Sequence, residues 1–201
     1  MAQVTSIAEL ETLYGDAVPA SLTKVARKMT PHYRRWIDHA RFVVLSTIGP
    51  EGTDASPRGD DGPVVRVVDD VTLHLPDWRG NNRLDSLRNI VRDPRVSLMF
   101  MVRGCNNVVR LNGHAVISTD SDLTQSFSRQ GKTPRSVIVF KLDEMYFQCA
   151  KAIMRSQLWS GADESGLVPT AGDFIKEMQA DFDGASYDAG YADYAKDRMW
   201  A

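Results

Sequence analysis

Pro76-Asp77-Trp78-Arg79-Gly80-Asn81-Asn82-Arg83-Leu84-Asp85-Ser86-Leu87-Arg88-Asn89-Ile90 follows a β-rich run at 71–75 and opens a helix. Gly80 accepts backbone angles that other residues resist. Asn81 and Asn82 are suited to capping a helix by accepting its first free N–H groups. Such a helix start favours anions through those N–H groups and the helix dipole. Arg83 adds a planar fork of donors that matches a phosphate. The stretch reads in two ways: a phosphate cradle of strand, turn and helix, or an ordinary capped helix with a solvated arginine.

Outward from it the pattern is β. Residues 42–47 form a compact β-rich run closed by Gly49-Pro50-Glu51-Gly52, a strong turn signal. Residues 53–56 read as the returning strand of a hairpin, and 64–68 and 71–75 as two further strands around Asp69-Asp70. The helix, predicted over 82–91, stops at Asp93-Pro94. Residues 96–102 are almost continuously apolar, as in a strand buried on both faces. Strands are expected at 108–117, 136–142 and 145–149, with a helix from about 119 to 130. Short strands at hairpin spacing, broken by only two helices, point to an antiparallel barrel of the mainly β, α+β class. A doubly wound sheet needs a helix after nearly every strand, and neither GxGxxG after a strand nor GxxxxGK[ST] occurs.

The flanks read as helical. Helices are predicted over 6–14, 20–28 and 32–40, the last opened by Pro31. A helix or ordered arm is expected at 150–159 and a helix at 173–182, while the tail from 184 has weak periodicity. With no repeat and no flexible linker, 201 residues form one domain: a helical extension over 1–40, the barrel over about 41–160, and a helical tail over 161–201.

A net charge of −2 argues against a dedicated nucleic-acid binder. No apolar run is long enough for a membrane span, and residues 1–10 lack the pattern of a secretory signal. A cytoplasmic protein is expected. Cys105 and Cys149 have neither CxxC nor zinc-site spacing and read as incidental thiols. His32, His39, His74 and His114 are scattered, without metal spacing or a Ser/His/Asp set. No metal site is expected. With no evident nucleophile or paired carboxylates, reactive chemistry would belong to a cofactor.

Arginines carry the remaining signal. Arg58 sits at the bend Ala55-Ser56-Pro57-Arg58-Gly59-Asp60, as an anion ligand or a solvated turn residue. Arg66 lies in an apolar strand, where a charge needs a partner or water. Arg110 repeats that pattern in Val109-Arg110-Leu111-Asn112-Gly113. With Arg83 these residues lie at or near the ends of β elements, which a barrel would gather around one anion.

These pieces together resemble the pyridoxamine 5′-phosphate oxidase-like family of FMN-binding split barrels, closest to its branch of probable FMN-dependent proteins. The resemblance rests on 42–47, Ala55-Ser56-Pro57-Arg58-Gly59-Asp60, Val65-Arg66-Val67, Pro76-Asp77 with Gly80-Asn81-Asn82-Arg83-Leu84-Asp85, Asp93-Pro94-Arg95-Val96, and Val109-Arg110-Leu111-Asn112-Gly113. They run in the family's order over roughly 35–160.

The resemblance implies a homodimer with FMN in grooves between the subunits. It implies phosphate contacts from Arg66, Asn82 and Arg83, with Val67, Asn81 and Arg110 beside them, and Arg58 at the phosphate or the open flavin face. Lys151, Arg155 and Trp159 match the piece that reaches across the interface. It implies an FMN-dependent oxidoreductase that needs no acid or base side chain. The rivals are a flavin- or haem-binding protein without turnover, and a reductase of the same fold using the deazaflavin F420. The chain ends Asp197-Arg198-Met199-Trp200-Ala201, without the Arg-containing closing motif of the true oxidases, so oxidation of pyridoxamine phosphate is not expected.

Overall fold

The structure, a computed structural model, describes residues 2–200. Its centre is a sheet of seven strands: β1 (Phe42–Gly49), β2 (Gly52–Gly59), β3 (Arg66–Val67), β4 (Thr72–Asp77), β5 (Arg95–Met101), β6 (Val108–Ser118) and β7 (Ser136–Gln148). Around it lie α1 (Ile7–Tyr14), α2 (Pro19–Thr23), α3 (Pro31–Ile37), α4 (Asp85–Arg92), α5 (Ser121–Gln125), α6 (Lys151–Ser156), α7 (Ala171–Met178) and α8 (Gly184–Lys196). The spatial order is β2-β1-β5-β6-β7-β4-β3, and every pairing is antiparallel. The α+β class and the antiparallel sheet are as the sequence predicts.

The sheet curls. Laid flat, β2 and β4 would be about 24 Å apart, five steps of ~4.8 Å each. Yet Arg58 on β2 makes an ion pair with Asp77 at the end of β4. The edge strands β2 and β3 do not pair with each other, so backbone hydrogen bonds do not close the ring. The concave side holds one apolar cluster that includes Val43, Leu45, Leu73, Leu98, Phe100, Leu111, Phe140 and Met145, with Ile37 of α3 in it. Burying each such side chain contributes about 1.5–3 kcal/mol before entropy is counted.

Burial corrects one expectation. β5 is not buried on both faces: Val96, Leu98 and Phe100 are buried, while Ser97, Met99 and Met101 are only half-buried. β1 alternates in the same way, with Val43 and Leu45 inside and Val44 and Ser46 half-buried. The register aligns these outward residues across strands. Val44 faces Met99, Met99 faces Arg110, and Arg110 faces Tyr146. A parallel row runs through Ser46, Ser97, Asn112 and Glu144, in which Asn112 Nδ2 donates to Glu144 Oε1 at 2.9 Å. The convex face therefore carries mixed apolar and polar rows and is partly open.

Between β6 and β7 the register slips at Asn112/Gly113, leaving Asp143 as the extra residue of a bulge. Asp143 Oδ2 then lies 2.8 Å from His114 Nδ1. α4 lies against β1, where Asn89 Nδ2 donates to Thr47 Oγ1 at 3.1 Å in a buried contact.

Helix boundaries differ more. The helix predicted over 82–91 starts at Asp85, because Asn82 (φ 61°) and Leu84 (φ 64°) take left-handed backbone angles that a right-handed helix cannot include. Asn81 Oδ1 accepts the Arg83 N–H at 3.1 Å, so it stabilises the loop and not the helix end. α2 covers only 19–23 of the expected 20–28. The tail from 184 is a helix of 13 residues with Asp183 accepting the Ser186 N–H as its cap. It meets α7 through Gly172 and Gly184, too close for a side chain at either, and through Asp188 Oδ1, which accepts the Gly172 N–H at 2.9 Å.

Candidate functional site

Where β3 and β4 meet the segment after α5, the surface opens into a cleft of about 510 Å³. Arg34, Arg66, Val67, Trp78, Phe127 and Arg129 are among its lining residues. Arg66 is held by both ends of its fork. Nη1 donates to Ser126 Oγ and Nη2 to the Ser126 carbonyl, each at 2.8 Å. The guanidinium carbon lies 3.8 Å from the centre of the Phe127 ring. Asp120 makes this possible: its Oδ1 accepts the Leu123 N–H at 2.8 Å, capping the short helix that delivers Ser126 and Phe127.

The three guanidinium groups of the cleft are not equivalent. Arg34 Nε sits 3.5 Å from Asp38. Arg129 forks onto Asp60 and Asp61. That fork holds the Asp61 carboxyl below the ordinary carboxylate range and raises the Arg129 guanidinium. Among the described residues Arg66 has only neutral partners, whereas Arg34 and Arg129 each meet a carboxylate. His74 faces it across β3 and β4. Burial, with Arg66 and Lys141 nearby, lowers the His74 pKa, so this imidazole leaves the charge to Arg66. The indole Nε1–H of Trp78 is buried without an acceptor. A buried donor left unmatched is costly, and it awaits an acceptor from a ligand or from water.

Of the residues singled out in the sequence, Arg66 and Val67 line this cleft. Arg58 lies at the seam of the curled sheet, paired with Asp77, and its Nε is buried without an acceptor. Arg83 lies elsewhere, in a groove of about 370 Å³ between the β1–β2 turn and α4, with Arg88 and Arg92. Its Nε is 2.9 Å from Asp85. Asn81 and Asn82 shape the loop between the two places. Arg110 is on the convex face, 5.4 Å from the Tyr146 ring centre. Lys151, Arg155 and Trp159 follow the far end of β7, whose near end, Ser136, pairs with Asp77. About 40 Å of strand separates the two ends of β7. These three residues do not reach the cleft of their own chain. Trp159 Nε1 instead donates to the Cys105 carbonyl at 2.9 Å.

Trp78, Phe127 and Arg129 were missed as site residues. Trp78 stood inside the quoted stretch but was read as part of a turn. Phe127 and Arg129 were assigned to a helix running to 130, whereas α5 ends at Gln125. Gln130-Gly131, both at positive φ, instead turn the chain between the bridged Arg129 and Lys132, well after the helix has ended.

The Arg58–Asp77 pair gives a stability prediction. The two side chains are only 21% and 15% exposed. Arg58→Met strands the Asp77 carboxylate and is expected to cost about 1–3 kcal/mol. Arg58→Met with Asp77→Leu is expected to cost less than the two single changes summed, because the pair disappears together. Urea denaturation of the three variants measures this. Strictly additive losses would show that the pair does not hold the seam.

Among the described residues no group of three or more His, Cys, Asp or Glu is placed to hold a metal ion, and no helix is long and apolar enough to cross a membrane.

The fold is a curled antiparallel sheet with a cleft beside β3 and β4 that is lined by Arg66, Trp78 and Phe127. The chain matches the family model of pyridoxamine 5′-phosphate oxidase over residues 29–149 and belongs to that family. No curated protein matches the chain. Among solved structures, it is similar to a putative pyridoxamine 5′-phosphate oxidase from Lactobacillus delbrueckii, at 20% identity over 60% of this chain and 95% of that one, TM-score 0.48. HupZ from Group A Streptococcus matches at 16% identity over 59% and 93%, TM-score 0.47. An FMN-binding protein from Syntrophomonas wolfei matches at 10% identity over 71% and 97%, TM-score 0.43.

Proposed function

We propose that this protein is a flavoprotein that binds FMN in the Arg66 cleft and acts as an oxidoreductase on a small substrate, with the curled sheet as a single split-barrel domain. The observation that carries the proposal is the Arg66 guanidinium, which has no carboxylate partner among the described residues and lies at an aromatic wall. The residues present suit the group. Arg66 has the charge and planar fork for a phosphate. Trp78 offers a buried N–H to an acceptor, and Phe127 and Trp78 give ring surfaces that exclude water. A volume of about 510 Å³ is within the usual range for a cofactor site. Bound FMN would supply two-electron redox chemistry, and the protein would bind and orient it. Arg34 and Arg129, neutralised by Asp38, Asp60 and Asp61, fix the walls.

The proposal includes a homodimer. Its support is the convex face of β1, β5, β6 and β7, whose ordered rows of Val44, Met99, Arg110 and Tyr146 stay partly open in one chain. A second copy on this face would give β5 the two-sided burial that its apolar sequence suggests. Lys151, Arg155 and Trp159, remote from their own cleft, then belong to the interface. Light scattering is expected to give twice the 22.4 kDa chain mass. A monomer mass with FMN bound would refute the two-chain reading.

A further inference from the structure

Residues 2–23 are exposed at every position, α1 and α2 included. Yet the arm is not built like a solvated tail. Ile7, Leu10, Leu13, Tyr14, Val18 and Leu22 are 41–77% exposed. An isolated helix of eight residues is not stable in water. The arm therefore needs a surface, and within the chain it is left uncovered. It carries Glu9, Glu11 and Asp16 and no Lys, Arg or His.

The complementary surface is α6 with the turn after it. Residues 151–159 carry Lys151 and Arg155 and no acidic residue. They also expose Met154 at 61%, Leu158 at 50% and Trp159 at 36%. The arm's root lies at the same end of the sheet. Ala26 pairs with Met145, and the Lys24 ammonium is 4.7 Å from the Phe147 ring centre. The Tyr33 hydroxyl donates to the Lys24 carbonyl at 2.9 Å and fixes the point of departure. The row ending at Tyr146 on the convex face reaches the same place.

We propose that the arm of each chain seats on α6 of a second copy, apolar side down, with Glu9 and Glu11 on the two flanks of that side drawn to the positive charge of Lys151 and Arg155. The inference rests on the dimer reading above. Two copies joined on the convex face gather both arm roots and both α6 helices at one interface. The four residues between α1 and α2, fully extended, together with the five of α2 span up to about 20 Å between α1 and the arm's root. α6 is then the part of the surface that holds the partner's arm.

The test uses the full chain with Leu13→Cys and Met154→Cys, its native thiols replaced by Cys105→Ser and Cys149→Ser. A short bifunctional maleimide is added, and linked species are separated under denaturing conditions. Light scattering of the same sample gives the oligomeric state. A dimer mass with links between chains is the expected result. Adding Lys151→Glu with Arg155→Glu is expected to cut the linked yield about tenfold, and Glu9→Lys with Glu11→Lys in the same chain to restore it. A dimer with only intrachain links, or with none, overturns the exchanged arm and leaves the dimer standing. A monomer mass overturns both.

Discussion

Arg66→Ala is expected to weaken FMN binding ten- to hundredfold while riboflavin affinity changes less than about threefold. The guanidinium that meets Ser126 at 2.8 Å through two nitrogens is, among the described residues, the cleft arginine without a carboxylate partner. A phosphate arriving there gains charge-assisted bonds worth about 1.5–3 kcal/mol. Riboflavin has no phosphate and loses nothing from that source. Arg66→Lys keeps the charge but not the fork, so its loss should fall between. Titrating the apoprotein with each ligand and following flavin fluorescence measures all three. Equal losses for FMN and riboflavin would move the phosphate away from Arg66.

Gly113→Ala is expected to lower stability by about 3 kcal/mol, the upper part of the range for overpacking. A Cβ at Gly113 would lie 2.0 Å from the Lys141 carbonyl oxygen and 2.8 Å from the tip of the Phe140 ring. The first of these is backbone of the paired strand, so the bulge between β6 and β7 must open. For a chain of this size the melting temperature should fall by roughly 6–12 °C. Gly62→Ala is the control: a Cβ there meets nothing within 4 Å. Its change should stay within about 1 kcal/mol. A Gly113→Ala chain melting with the parent would show that the bulge relaxes freely.

The sheet was legible because its strands alternate or run apolar over short stretches bounded by strong turns. Gly49-Pro50-Glu51-Gly52 placed the first hairpin, and the register Gly49↔Gly52 is what a two-residue turn requires. The loop before α4 was not legible. Leu84 at φ 64° is a conformation that sequence preference argues against, and tertiary packing imposes it. Two asparagines before an amphipathic helix therefore read as caps when they shape a loop. The tail was expected to be helical but its helix was not bounded, because the row Tyr187, Tyr191 and Tyr194 is exposed and α8 meets α7 through Gly184 and Asp188 rather than through an apolar stripe.

The cleft was half legible. Arg66 stood out as a charge inside an apolar strand, and Val67 followed from the family pattern. Phe127 and Arg129 did not, since a segment 60 residues away in sequence supplies the Arg66 partners. Arg58 lies within β2, opposite Val43, and not at the bend that Pro57 and Gly59 suggest, and its acceptor is Asp77. Nothing in the local sequence pairs those two. Only the curl of the sheet does.

The central claim is that this cleft holds FMN. The absorption spectrum of the purified protein, with its chromophore released by denaturation and identified by mass, tests it most directly. The account predicts flavin bands and released FMN at one per chain. A haem Soret band, or a colourless protein that takes up no FMN when it is supplied, would contradict it.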